Sequence, residues 1–201
     1  MRSLVALLAL ALIGGCTVTP FDDRPPPATV GRVDLSRYAG TWYEIARFPN
    51  AFQDGGRRCE DVTATYTPRG DGTIGVVNRC IDTANGNMER SAQGHARPES
   101  PGSDRLRVTF FWPFFGDYWV IGLDPEYRWA VVGAPNRDYL WILSRTPAMP
   151  AGAYSVALEI VRREGFDAHR LVTTPQRAAG TGRAERFERL PRGALSTASR
   201  A

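Results

Sequence analysis

Three cysteines and two histidines carry most of the reactive chemistry open to this 201-residue chain, whose 25 basic residues are all arginine. Cys59 and Cys80 flank two β-rich runs around Pro68-Arg69-Gly70-Asp71-Gly72, a hairpin turn signal. Folding that hairpin about the Arg69–Gly70 bond sets Cys59 opposite Cys80. Directly opposed Cβ atoms in an antiparallel pair are about 4.5–5.5 Å apart, within adjustment of a disulfide. A one-residue bulge would shift the register and leave two buried thiols instead. Two cysteines with two distant histidines, His95 and His169, make no metal-ligand cluster. Nothing near either histidine in sequence supplies a nucleophile or a paired acid. Gly55-Gly56 and Gly70-x-Gly72 belong to turns rather than to a phosphate loop. The expectation is a protein that is not an enzyme and uses neither metal nor cofactor.

The remaining cysteine has a different setting. Residues 1–15 carry one charge, Arg2, then an apolar run from Leu4 to Ile13 that is too short to span a bilayer. They read as a signal peptide. Ile13-Gly14-Gly15-Cys16 resembles the lipobox of bacterial lipoproteins. That resemblance implies cleavage before Cys16, diacylglycerol on its thiol, and an acyl group such as palmitate on its amine. Three chains exceed what stable anchoring requires. Thr17, where inner-membrane lipoproteins often have aspartate, implies the outer membrane with the domain facing the periplasm. Residues 16–33 include Pro25-Pro26-Pro27 and read as the lipidated cysteine and a semi-rigid tether.

The net charge of +4 resides in residues 177–201, where six arginines meet two glutamates. A neutral body with a basic, solvated tail gives no footprint for nucleic acid. Apolar residues make up 43% of the chain, enough for one globular domain.

What would position any site is a series of short strands. Strand-like runs fall at about 41–48, 61–67, 73–81, 88–96, 105–112, 117–124, 128–134 and 139–144. Between them lie Asp71-Gly72, Gly86-Asn87, Pro101-Gly102-Ser103, Pro113, Asp124-Pro125 and Pro135-Asn136. Eight short strands joined by tight turns predict an all-β fold, an eight-stranded antiparallel up-and-down barrel that closes to hide its edges. A two-layer sandwich uses the same strands. After Pro150 the period changes. Tyr154, Ala157, Leu158 and Val161 form one helical face, with Gly165 at the C′ position, so a C-terminal α-helix should pack outside the sheet.

Gly40-x-Trp42, Asp124-Pro125-Glu126-Tyr127 and Arg145, in that order along residues 34–176, resemble the three signature regions of the lipocalins. Within that family the chain is similar to the bacterial outer-membrane lipoprotein lipocalins, relatives of apolipoprotein D. "GTWYEIARFPN", "YWVIGLDPEYRWAVVG", "DYLWILSRTP" and "REGFDAHRLVTTPQ" carry this likeness. The resemblance implies that Trp42 plugs one end of the barrel with Arg145 lying across it. Gly40, Trp42, Asp124, Tyr127 and Arg145 would then close the barrel rather than touch ligand.

The walls can be read from alternation. Leu106, Val108, Phe110 and Trp112 share one face of strand five, and an inward Trp42 sends Glu44, Ala46 and Phe48 inward with it. Tyr118 joins them from strand six, while Phe114 and Phe115, in a loop, would form an apolar lip. Core packing competes with ligand contact for each of these aromatics. An aromatic-lined cup with Glu44, Tyr118 or a rim arginine for a head group suits a fatty acid or lysophospholipid. The expected function is a binding protein that stores or carries such ligands in the cell envelope. A structural envelope-stress lipoprotein with a vestigial cavity is the alternative, and a barrel-based enzyme a more distant one.

Overall fold

In the computed structural model, which describes residues 24–177, eight antiparallel strands follow one another around a closed barrel. They are β1 (Gly40–Arg47), β2 (Cys59–Pro68), β3 (Ile74–Asp82), β4 (Met88–Pro98), β5 (Arg105–Phe111), β6 (Phe114–Leu123), β7 (Trp129–Gly133) and β8 (Leu140–Ser144). Each pairs with the next, and β1 pairs with both β2 and β8, which closes the circle. A short helix, α1 (Leu35–Tyr38), precedes β1, and α2 (Ala51–Asp54) lies in the β1–β2 connection. Helix α3 (Ala151–Arg163) follows β8, and a two-residue strand, β9 (Val172–Thr173), pairs with the end of β1. The up-and-down barrel with one outer helix is the predicted fold; the sandwich is excluded by the closure of β1 on both neighbours.

Because strands alternate direction, hairpins β1–β2, β3–β4, β5–β6 and β7–β8 gather at one end of the barrel, the mouth. The connections β2–β3, β4–β5 and β6–β7 gather at the other, together with α1 and Arg145. Two apolar layers result. The inner one contains Tyr38, Trp42, Tyr66, Ile74, Val76, Leu106, Val120, Val132 and Leu143. The outer one lies between sheet and helix and contains Phe48, Ile121, Val131, Leu140, Ile142, Ala157, Val161 and Phe166. Helix α3 reaches the sheet closely because Gly122 and Gly133 have no side chain. A Cβ on either would stand 2.8 Å from Ile160 or 2.5 Å from Phe166. Past the C-cap Glu164 the chain turns at Gly165, whose φ of 79° suits a residue without Cβ.

Bulges decide which residues face in. One lies in β1 between Glu44 and Ala46, so Trp42 and Glu44 face the lumen while Ala46 turns outward and Arg47 inward. Others interrupt β2 between Glu60 and Thr63 and β6 between Val120 and Gly122. The Cys59–Cys80 disulfide forms, but not by the expected register. The turn is longer than predicted and sets Pro68 opposite Ile74. The bulge at Asp61, which has φ 52°, then places Cys59 opposite Asp82. The bond spans a diagonal pair with Cα atoms 5.3 Å apart.

Both chain ends of the described region are held. Residues 24–33, expected as part of the tether, run down the outside from mouth to closed end. Val30 N donates to Val120 O at 3.0 Å and Val33 N to Gly102 O at 2.8 Å. Arg177, expected as the start of the tail, bonds to the Asp61 carboxylate. Residues 172–177 thus fill the gap where β2 leaves β1: Gln176 Nε2 donates to Glu44 O at 2.8 Å and Val62 O at 3.0 Å. Cys16, the signal peptide and the tail beyond Arg177 lie outside the described residues.

Candidate ligand-binding site

The closed end is built around Trp42, which has no exposed surface. Its indole Nε1 donates to Tyr38 O at 2.8 Å. The Arg145 guanidinium lies over the ring, its Cζ 3.8 Å from the ring centroid, a geometry worth about 0.5–2 kcal/mol. That guanidinium also donates to Arg37 O at 2.7 Å, Thr41 O at 3.0 Å and Tyr127 O at 3.3 Å, tying α1, β1 and the β6–β7 turn together. Gly40 has φ 92°, and a Cβ there would sit 3.4 Å from Arg145 Nη1. Asp124 organises the β6–β7 turn, accepting from Glu126 N at 3.0 Å and from both Nε and Nη2 of Arg128 at 2.8 Å. Tyr127 accepts from Asp34 N through its hydroxyl at 2.9 Å. These five residues therefore meet at the closed end and tie its segments together.

Beside the tryptophan is a cluster no local pattern announced. The Tyr118 hydroxyl lies 2.8 Å from that of Tyr38 and 2.9 Å from that of Tyr66. Burial drives the Tyr66 phenol up to about 12 and pushes Tyr38 and Tyr118 well above the ordinary range, so all three stay neutral at any physiological pH. Three hydroxyls share two hydrogen bonds, which leaves one proton for a further acceptor.

Higher in the lumen the register fixes which residues face each other. Trp42 is paired with Ala64, Ala64 with Asn78, and Asn78 with Ala92. A second row runs Tyr66, Val76, Gly94, and a third Ile74, Ala96, Val108, Gly116. The β4 wall thus contributes Ala92, Gly94 and Ala96, small residues at alternate positions, and Phe110 lies over Gly94. Ala92 is exposed although its register turns it inward. Of the residues predicted to line the cavity, Leu106 and Tyr118 are buried in the inner layer, with Val108 and Phe110 partly buried against it.

Two predicted wall residues are corrected. Phe48 sits in the outer layer, 6.2 Å from the Phe166 ring with Arg170 over its face, because the β1 bulge reverses the phase after Glu44. Trp112 is 79% exposed, since the β5–β6 hairpin turns at Trp112-Pro113 and carries it off the strand. Phe114 and Phe115 belong to β6 rather than a loop. Phe114 is exposed at the mouth, and Phe115 packs outside against His95, ring centroids 5.8 Å apart.

Glu44 is also differently employed from the expected head-group contact. Its carboxylate accepts from Gln53 Nε2 at 2.8 Å and from the Thr174 hydroxyl, and lies 3.2 Å from Arg47 Nε. Burial raises its pKa, opposed by these partners. Arg47 in turn binds both oxygens of Asp54, at 2.6 and 2.9 Å. This pair holds α2 across part of the mouth, where Phe52 stacks on Tyr139 and Trp141 at 6.0 and 6.4 Å.

Where the β3–β4 hairpin meets the β1–β2 connection, Asp82 is fully buried and binds Arg90 Nε at 2.6 Å, Asn85 Nδ2 at 2.8 Å and Arg58 N at 3.2 Å. Burial opposes its charge, but these donors outweigh burial and bring its pKa down to about 2. A carboxylate lowered in the folded state contributes stability that is complete above its unfolded pKa and disappears as pH falls through the folded value. The urea-midpoint difference between wild type and Asp82→Asn should therefore be constant above about pH 5 and shrink between about pH 4 and pH 2. A difference independent of pH down to that limit would contradict this arrangement.

A lipocalin-like domain family matches residues 33–176, the closed barrel with its helix. The chain belongs to the lipocalins. This lipocalin is 41% identical over 175 residues to outer membrane lipoprotein Blc of Escherichia coli K12, covering 86% of this chain and 97% of that one. It is 42% identical over 177 residues to the Citrobacter freundii protein of the same name, covering 87% and 96%. Among solved structures, lobster apocrustacyanin A1 matches with a TM-score of 0.59 at 17% identity, over 79% of this chain and 94% of that one, which is likeness of fold. Membership accounts for a lumen suited to small hydrophobic ligands. Among the described residues no group of three His, Cys, Asp or Glu is placed to hold a metal.

Proposed function

We propose that this lipocalin stores or carries a single-chain amphiphile, a fatty acid or lysophospholipid, at the outer membrane, anchored by acyl chains on Cys16 and facing the periplasm. The supporting observation is the exposure of Ala92 on an inward-facing row, beneath a rim that α2 covers only in part. Ala92 and Gly116 keep bulk off the axis, while Val76, Val108 and Phe110, the last filling the space that Gly94 leaves, supply apolar wall. An acyl chain fits such a lumen by area burial alone, at about 0.8 kcal/mol per methylene. The neutral tyrosine trio leaves one hydroxyl proton for an acceptor at the floor. The E. coli and Citrobacter relatives are named outer membrane lipoproteins, which supports the anchor. Titration with a fluorescent fatty acid should show saturable uptake, one per barrel, displaced by palmitate or by lysophospholipid. Signal that never saturates, or that neither lipid displaces, would reject this reading.

A further inference from the structure

We infer that the mouth of the barrel is its membrane-docking surface: the β5–β6 tip enters an anionic phospholipid leaflet, and arginines at the root of the tether meet lipid phosphates. The inference rests on acylation of Cys16. Phe111, Trp112 and Phe114 are 76%, 79% and 77% exposed, the most exposed large apolar side chains among the described residues, and they are contiguous at one hairpin tip. Aromatic and apolar side chains at such a tip suit the boundary between head groups and acyl chains.

The tether leaves from the same end. Helix α3 runs from the closed end toward the mouth and finishes beside the β7–β8 turn, where Arg137 Nε donates to Glu164 O at 2.8 Å. The start of the described chain is fastened there: Arg24 Nη1 donates to Gly165 O at 2.8 Å and Arg137 Nη2 to Pro25 O at 2.7 Å. Cys16 precedes Arg24 by eight residues, a reach of at most about 28 Å. A ten-residue strand tilted as in small barrels makes the barrel roughly 25 Å tall. The mouth can therefore rest on the bilayer directly, whereas the closed end reaches it only if the tether doubles back along the whole wall.

Charge at this rim is complementary to phosphate. A cleft of ≈ 500 Å³ is lined by Arg24, Arg137, Arg162, Arg170 and His169 against one carboxylate, Asp167. Arg24 and Arg137 hold the tether and helix end as described. Arg162 and Arg170 are exposed, and they present the cleft's outward charge. An arginine near an anionic surface contributes about 1 kcal/mol of attraction. Docked this way, the barrel opens toward the leaflet that holds its ligand.

The acylated full chain, reconstituted into phosphatidylethanolamine–phosphatidylglycerol vesicles, provides the test. With brominated acyl chains its tryptophan emission should be quenched, and most of that quenching should vanish in Trp112→Phe. Arg162→Glu with Arg170→Glu should reduce quenching more in these vesicles than in phosphatidylcholine ones. Flotation of wild type, lost in Cys16→Ser, verifies the anchor in the same preparation. Vesicle-bound protein whose emission ignores bromine, or quenching that survives Trp112→Phe, would overturn the docking. So would a concentration-dependent dimer broken by Trp112→Ser, which would show a second copy seated on the lip. Absent quenching with intact fatty-acid uptake defeats the docking alone, and quenching without uptake defeats the carrier reading alone.

Discussion

Replacing Trp42 with alanine will cost the barrel about 3–5 kcal/mol, the range for removing a large buried aromatic. Three losses coincide. The side chain has no exposed surface, so its removal forfeits transfer energy and leaves a cavity at the base. The Tyr38 carbonyl loses its indole donor. The Arg145 guanidinium loses the ring face 3.8 Å beneath it, while its hydrogen bonds to Arg37, Thr41 and Tyr127 carbonyls keep it in place over the void. Relaxation is limited because α1, β1 and the β6–β7 turn are joined through that one side chain. Urea unfolding should show a large drop in midpoint with an unchanged slope. Trp42→Phe, which retains a ring but not the donor, should fall between wild type and Trp42→Ala. A Trp42→Ala loss under about 1 kcal/mol would mean the base is sealed by something else.

Ala92→Trp should abolish measurable uptake, a loss of tenfold or more in affinity and so at least about 1.4 kcal/mol, with little change in unfolding midpoint. The reasoning is geometric. Ala92 faces inward on the row of Trp42, Ala64 and Asn78, yet remains exposed, so an indole there enters space that solvent now reaches rather than a packed core. Ser91→Trp, one residue earlier on the opposite face of β4 and paired with Arg79, is the matched control and should bind as wild type does. Equal affinities for the two variants would place the ligand somewhere other than the lumen.

The fold was legible wherever a turn or a period is local. Asp71-Gly72, Gly86-Asn87 and Pro135-Asn136 mark three hairpins, and the spacing of Tyr154, Ala157, Leu158 and Val161 marks α3. Lipocalin resemblance placed Trp42 and Arg145 together across more than a hundred residues. Bulges were not legible, because one extra residue in a strand leaves no signature in composition. The bulge after Glu44 moved Phe48 to the outer layer, and a longer β2–β3 turn, partly offset by the bulge at Asp61, turned an expected directly opposed cysteine pair into a diagonal one. The disulfide survived that error because the longer turn and the bulge shift the register in opposite directions. Alternation does not extend to Trp112, because the hairpin turns at Trp112-Pro113.

The lumen's finer chemistry was hidden for another reason. Tyr38 and Tyr66 reach Tyr118 across 80 and 52 residues, a meeting only the closed barrel arranges. Glu44 looked like a head-group ligand until α2, Thr174 and Arg47 occupied it, and helix α2 at four residues is too short to betray itself by period. Ala92, Gly94 and Ala96 alternate along β4, small residues at every second position of one strand face, with Phe110 over Gly94 and Ala96 packed in the core.

Native mass spectrometry of the full acylated protein, released gently from its own membrane, tests the central claim most directly. One noncovalent lipid of fatty-acid or lysophospholipid mass per barrel is the expected spectrum, and it should be missing from Ala92→Trp prepared in parallel. A folded wild-type barrel that leaves its membrane empty, or that carries the same adduct as Ala92→Trp, would contradict it.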